Sequence, residues 1–303
     1  MSSAHAVITA TDAFRIELLS RFRFLDPERV HAIPNGYDPE DFPSLAARPP
    51  ADRFVLTYAG TVFRLTSARG LIDALRVLHQ REPELARLLE VRFLGRIVET
   101  EQVYFAGSER LGVRQLGYVE HARVLEELGQ SHATLCILDD VPGTERIYPA
   151  KIFELMRLGR PCLALTPEGA LADLVRRHRL GSVVPPRDTE QICAELSRLL
   201  RQFAAGDVPA LNPVDVERYD RQRQAGQFAQ IFRRAVAEAR SDGTARAGES
   251  QRVRRFVSVS TFGAPGDSAR RYSTSSMNES MMNTPIRDSG SAPGARGETD
   301  AGS

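Results

Sequence analysis

Between residues 53 and 203, short apolar runs alternate with segments that carry apolar residues at helical spacing. Phe54–Ala59 is the first run, and it stops at Gly60. Leu71, Leu75 and Leu78 then recur on one helical face, and Val91–Leu94 forms a second run that stops at Gly95. The pattern continues with a helix around Glu101–Arg110, a strand at Val113–Leu116 and a helix at His121–Gln130. Next come a strand at Ala133–Leu138, a helix at Ala150–Arg157 closed by Gly159, and a strand at Pro161–Thr166. A helix at Leu171–His178, a strand at Ser182–Val184 and a helix capped by Asp188 or Thr189 and reaching Leu200 complete it. Strands that alternate with helices specify an α/β fold, a Rossmann-like parallel sheet with helices on both faces. In such sheets ligands bind beyond the carboxyl ends of the strands, so the loops after the runs are where function belongs.

Composition narrows the function classes. Forty basic and 39 acidic residues leave a net charge of +1, which gives nucleic-acid binding no support. Cys136, Cys162 and Cys193 lie inside apolar runs or helical patterns and form no Cys-x-x-Cys pair. Zinc and redox chemistry are therefore weak readings, and free thiols suit a reducing compartment. No apolar run approaches the roughly 18 residues of a membrane span, and Met1–Ala6 lacks a signal-peptide pattern. The expectation is a cytoplasmic protein with no transmembrane segment, peripheral membrane contact being left open. From Ser241 onward the chain turns rich in Gly, Ser, Pro, Thr and Arg, and Phe256-Val257-Ser258-Val259 is its main apolar patch. Such a segment cannot bury enough apolar surface to offset its ordering entropy, so 241–303 reads as a disordered tail.

Residues 1–45 fit the alternating pattern poorly. Val7-Ile8-Thr9 reads as a strand, and Thr11 or Asp12 would cap a helix carrying Phe14, Leu18, Phe22 and Leu25. Val30–Ile33 reads as another short strand, followed by the turn-forming Pro34-Asn35-Gly36. Val216–Arg240 reads as a final helix with Val216, Tyr219, Phe228, Ile231 and Phe232 as apolar anchors.

Several motifs occur together in one order. They are Val7–Thr11, Ile33-Pro34-Asn35-Gly36-Tyr37-Asp38 with Phe42, Tyr58-Ala59-Gly60-Thr61, Leu116-Gly117-Tyr118-Val119 and Pro149–Met156. Gly159-Arg160-Pro161 and Gly181–Pro186 continue the series. Over residues 7–235 the chain resembles retaining glycosyltransferases of the GT-B fold, group 1 and family 4-like. That resemblance implies two Rossmann-like domains facing across a cleft, an N-terminal one for acceptor and a C-terminal one for a nucleotide-sugar. It implies that residues 1–48 are the end of the acceptor domain with its linker, that 49–240 are the nucleotide-sugar-binding domain, and that the rest of the acceptor domain lies outside this sequence.

Site residues follow from the loops and from the resemblance. Gly60-Thr61 closes the first strand, where a glycine lets backbone approach a diphosphate. Arg64 and Arg69 follow on the same loop; either they are two solvated charges or, as the resemblance implies, they contact the donor diphosphate, with arginine able to hold phosphate bidentately. Gly117 and Tyr118 would meet the nucleotide base, while His121 reads as a helix-start surface residue. The loop Tyr148-Pro149-Ala150-Lys151 runs into a helix whose amino end suits a diphosphate. A cation at Lys151 is unfavourable for the helix alone, and an anionic ligand would explain it. Glu154 resembles the second glutamate of the family's Glu-x7-Glu motif, implied to bind ribose hydroxyls. The first glutamate is displaced: Arg146 stands eight positions before Glu154, and Glu145 one further. Glu145 is the candidate catalytic or sugar-contacting carboxylate, and the departure leaves sugar identity open.

The resemblance implies sugar transfer from a nucleoside diphosphate sugar to an acceptor hydroxyl with retention, in glycan or polysaccharide synthesis, with no cofactor and no obligatory metal. The competing readings are a catalytically incomplete donor-binding subunit of a split transferase or a truncated product, and a sugar-nucleotide epimerase of the same architecture. In the split case the partner would be a separate acceptor-domain chain, or apolar surface exposed at Phe14, Leu18, Phe22 and Leu25 would drive self-association.

Overall fold

The computed structural model describes residues 4–42, 48–207 and 211–245. The amino-terminal segment forms β1 (Val7–Thr9), α1 (Asp12–Arg21) and β2 (Val30–Ala32), the two strands pairing in parallel from Val7 against Val30. Thr11 caps α1 by accepting a hydrogen bond from the Phe14 amide. The expected stripe is shorter than its spacing suggested: α1 stops at Arg21, Phe22 closes it, and Leu25 lies beyond the helix.

The alternating pattern produces β3 (Phe54–Ala59), α2 (Arg69–Arg81), α3 (Pro83–Ala86), β4 (Leu89–Leu94) and α4 (Glu99–Phe105). It continues with β5 (Val113–Gly117), α5 (His121–Gly129), β6 (Ala133–Ile137), α6 (Lys151–Leu158) and β7 (Cys162–Leu165). It ends with α7 (Ala170–Arg177), β8 (Gly181–Val184) and α8 (Thr189–Ala204). The helix expected over 101–110 ends early because Gly107, at φ +71°, turns the chain into a 3₁₀ turn at Ser108–Leu111. The six strands from β3 to β8 form one parallel sheet in the order β5-β4-β3-β6-β7-β8.

Both faces of this sheet are covered, which is why every residue of β3 and β6 is buried. Alternate side chains serve opposite faces. Phe54, Leu56 and Tyr58 pack with Leu71, Leu75 and Leu78 of α2 and with Ile192, Leu196 and Leu200 of α8. Cys136, Cys162 and Ala164 pack instead with Ile152, Phe153 and Met156 of α6 and with Leu171, Leu174 and Val175 of α7. All three cysteines are buried and free.

After α8 the chain makes a 3₁₀ turn at Val216–Tyr219 and then a long helix, α9 (Arg221–Ala245). The single helix expected over 216–240 is thus interrupted at Asp220, where the chain pairs with Tyr37. Tyr37 donates its amide to the Tyr219 carbonyl and accepts from the Arg221 amide, both at 3.0 Å. A Cβ on Gly36 would collide with the Tyr219 carbonyl and the Gln224 side chain, so glycine is what permits this approach. Tyr219 also bonds His178 at 2.9 Å, and its ring lies tilted against Phe153 with centres 4.9 Å apart. The helix runs four residues past the composition break; the tail expected to be disordered otherwise lies outside the described residues. No helix among the described residues is long and apolar enough to cross a membrane.

His132 precedes β6 with 6% of its surface exposed. Its Nδ1 accepts the Val55 amide at 3.0 Å, and its ring stacks on Phe54. Burial, with Arg160 adding repulsion, lowers its pKa to about 4. The unfolded chain takes up this proton near pH 6.5, so the stabilisation is fully present above that pH and declines as the pH falls toward about 4, by about 3 kcal/mol at most. Urea unfolding should show this loss between pH 7 and pH 4.5, and His132→Asn, which keeps an acceptor, should flatten it. An equal pH dependence in the variant would contradict the assignment.

Candidate functional site

The strand order reverses direction between β3 and β6, from whose carboxyl ends the chain departs to opposite sides. A crevice is expected at such a switch point. Its floor is built from glycines. Gly60, Gly95 and Gly117 end β3, β4 and β5 with φ of +130°, +123° and +68°. The Gly60 amide donates to the Leu94 carbonyl and the Gly95 amide to the Gly117 carbonyl, each at 2.7 Å. A Cβ on Gly95 would collide with the Gly60 carbonyl, so the first two strand ends lie against each other.

Lys151, which opens α6, crosses this point. Its Nζ donates to the Tyr58 hydroxyl at 2.8 Å and lies 4.0 Å from the centre of the Tyr58 ring. Tyr58 is wholly buried and donates in turn to the Thr61 carbonyl at 2.9 Å. A Cβ on Gly60 would collide with the Lys151 ammonium. Gly60 therefore leaves room for a cation as well as for close backbone approach. Ala150, at the start of α6, supplies no side-chain cap.

Glu154 lies three residues along α6 and is half-buried. Burial raises its pKa, and Asp41 acts in the same direction, while His121, Arg221 and Lys151 oppose the rise. The Asp41 carboxylate is 3.4 Å from His121, which ties the 3₁₀ turn at Pro39–Asp41 to the start of α5. Tyr118 presents 86% of its surface to solvent directly after Gly117. Tyr148 packs edge-on against Phe153 at 6.0 Å, and burial pushes its hydroxyl pKa up. Pro149 accepts the Ile152 amide at 3.0 Å and so starts the turn that Ala150 and Lys151 enter.

Thr61 and Arg64 are exposed on the loop after β3, Arg64 opening a 3₁₀ turn. Arg69 opens α2 with its guanidinium 3.7 Å from Asp73 and 5.6 Å from the Tyr104 ring centre, engaged along its own helix and α4. Glu145 keeps one carboxylate oxygen 2.8 Å from the Gly143 amide and the other 3.2 Å from Arg146. Arg146 itself turns to α1, where it pairs with Glu17.

Two contributions were not read from the sequence. Tyr58 reads there as one more apolar strand residue, its only signal being its place two positions before a strand-ending glycine. Asp139, at the end of the β6 run, is 7% exposed and binds Arg187 bidentately at 2.9 and 2.8 Å. Its amide also donates to the Leu65 carbonyl at 2.7 Å, so it joins the loops after β3, β6 and β8.

Residues 53–202 match the family described as Glycosyl transferases group 1. No curated protein sequence matches the chain. Among solved structures, HepE from Anabaena, determined with UDP and glucose, superposes with a TM-score of 0.55 at 19% identity over 76% of this chain and 63% of its own. The lipopolysaccharide outer core galactosyltransferase WaaB gives 0.55 at 16%, over 78% and 62%. Sucrose-phosphate synthase from Thermosynechococcus elongatus gives 0.55 at 17%, over 77% and 59%. The chain thus spans about three fifths of the length of these structures. The six-stranded parallel sheet, which lies within the matched residues 53–202, is the Rossmann-like half of a GT-B fold.

Gly60→Ala places a side chain at a φ that only glycine adopts readily and drives it into Lys151. It should lower stability by about 1–3 kcal/mol in urea unfolding. A variant as stable as the parent would contradict the arrangement of this strand end.

Proposed function

We propose that the crevice between Gly60 and Lys151 binds the diphosphate of a nucleotide-sugar, and that the domain serves sugar transfer to an acceptor hydroxyl with retention of anomeric configuration. The observation that carries this reading is the placement of Lys151. An ammonium stands on a buried tyrosine, in the first turn of a helix whose own dipole disfavours it, beside a shelf without side chains. An anion placed there gains from both the cation and the helix amino end.

The remaining residues distribute along the nucleotide. The exposed guanidinium groups of Arg64 and Arg69 supply further positive charge from the loop after β3 and the start of α2. Glu154 lies on the Lys151 side of α6, since positions three apart share a helix face, and accepts hydrogen bonds from ribose hydroxyls. Tyr118, beside Gly117, offers its free ring to the base. Glu145 is the candidate for the sugar contact, Arg146 having turned to α1. As the bond to the sugar breaks, charge grows on the leaving diphosphate, and fixed cations and amide groups stabilise it without reorganising. The acceptor must be held against the donor for transfer to occur. The surface that holds it belongs to a facing domain, contributed by more of the same polypeptide or by a partner chain.

The HepE structures contain UDP, and UDP is therefore the first probe. Calorimetry should show UDP, GDP or ADP binding to the folded chain. Lys151→Ala should weaken that binding by about 1.5–3 kcal/mol, the range for a charge-assisted contact. Failure of a folded chain to bind any of the three nucleotides at millimolar concentration would contradict the reading.

A further inference from the structure

The loop between β6 and α6 carries Glu145 and leads into Lys151 at the crevice, and its shape is fixed from outside the sheet domain. Four contacts converge on Arg146. The Thr11 hydroxyl donates to its carbonyl oxygen at 2.8 Å. Glu17 pairs with its guanidinium, which also lies 5.6 Å from the centre of the Phe14 ring. Its Nε is 3.2 Å from Glu145, whose other oxygen accepts the Gly143 amide. On the opposite side, a Cβ on Gly169 would collide with the Glu145 backbone, so the loop is pressed between the start of α7 and helix α1. Thr11 at the cap of α1 and Phe14 and Glu17 within it lie at spacings of three, which brings their side chains to one side of the helix. Neither the sheet core nor the cap of α6 accounts for these contacts.

We infer that Arg146 is a positioning residue through which α1 holds the loop 139–150, and with it Lys151 and Glu145, in the arrangement that receives the diphosphate. This inference rests on the proposed nucleotide site. It adds that the amino-terminal segment and that site are thermodynamically coupled. Four residues separate the anchored Arg146 from Lys151, too few to absorb a shift of α1 without moving the start of α6. Displacing α1 therefore weakens the anion site, and by reciprocity an anion at Lys151 strengthens the docking of α1. A segment outside the sheet domain can in this way report its own position to the donor site.

The test compares the parent chain with Arg146→Ala, Glu17→Gln and the charge exchange Glu17→Arg/Arg146→Glu, each first shown to unfold cooperatively. Two readouts are taken: UDP affinity by calorimetry, and amide hydrogen exchange over residues 139–150. The single variants should bind UDP about tenfold more weakly, within the usual range of coupling between sites. They should exchange faster over 139–150, with β3 and β4 unchanged, and the exchanged pair should recover much of both losses. UDP added to the parent chain should slow exchange in α1. Unchanged loop exchange in both single variants overturns the inference, even if the parent chain binds no nucleotide and the proposed site itself falls. Nucleotide binding that is equal in all four chains overturns it as well, and so does failure of the exchanged pair to recover.

Discussion

The ammonium of Lys151, seated on the ring and hydroxyl of Tyr58 beside Gly60, is the interaction on which the arrangement of the carboxyl edge depends. It joins the start of α6 to the end of β3, beside the place where the sheet order reverses. Tyr58 can serve it because its ring is buried in the core that α2 and α8 form, while its hydroxyl reaches the loop at Thr61. Gly60 can serve it because the position has no side chain and a backbone angle that glycine tolerates. Among the described residues no carboxylate pairs with this cation, whose hydrogen-bond acceptor is the neutral tyrosine hydroxyl, and the helix it opens adds to its cost. That local disadvantage makes structural sense once the crevice receives an anion.

Around this point the fold is fastened twice to its amino-terminal segment. One fastening is the close approach of Gly36 and Tyr37 to Tyr219 and Arg221, which docks the last crossover of the chain on α6 and α7. The other is the grip of α1 on Arg146. Beyond them α9 follows the β1–β2 pair, with Arg29 and Arg234 lying 3.8 and 3.9 Å from Glu238 and Glu28. These last pairs are exposed, and each contributes about 1 kcal/mol at most. The buried contacts at Gly36 and Tyr219 therefore dominate the docking.

The sheet was legible because its central strands β3, β6 and β7 are short apolar runs and helices such as α2, α6 and α8 carry a wide apolar stripe, so that period separated them; the edge strand β5, Val-Arg-Gln-Leu-Gly, gives a weaker signal. Boundaries failed where a single backbone angle decided them. Gly107 cut the helix read over 101–110, and pairing with Tyr37 interrupted the helix read over 216–240 at Asp220. The positions of the strand-end glycines and of Lys151 at the start of α6 were also legible, because strand-end glycines and a misplaced helix cation are local signals, whereas Glu154 was singled out by the family resemblance. Tyr58, the Asp139–Arg187 pair and the turn of Arg146 toward Glu17 were not, since each depends on partners 48 to 129 residues away in sequence, with Tyr58 meeting Lys151 93 residues on. Nothing in the local pattern tells a tyrosine that holds a cation from one that fills a core.

The most direct test of the account is a crystal structure of the chain with UDP. The diphosphate should lie within hydrogen-bonding distance of the Lys151 ammonium and the backbone amides after Gly60, with the ribose toward Glu154 and the uracil toward Tyr118. Density for the nucleotide elsewhere, for instance in the charged groove between His31 and Arg234, with Lys151 still seated on Tyr58 and facing no phosphate, would contradict it.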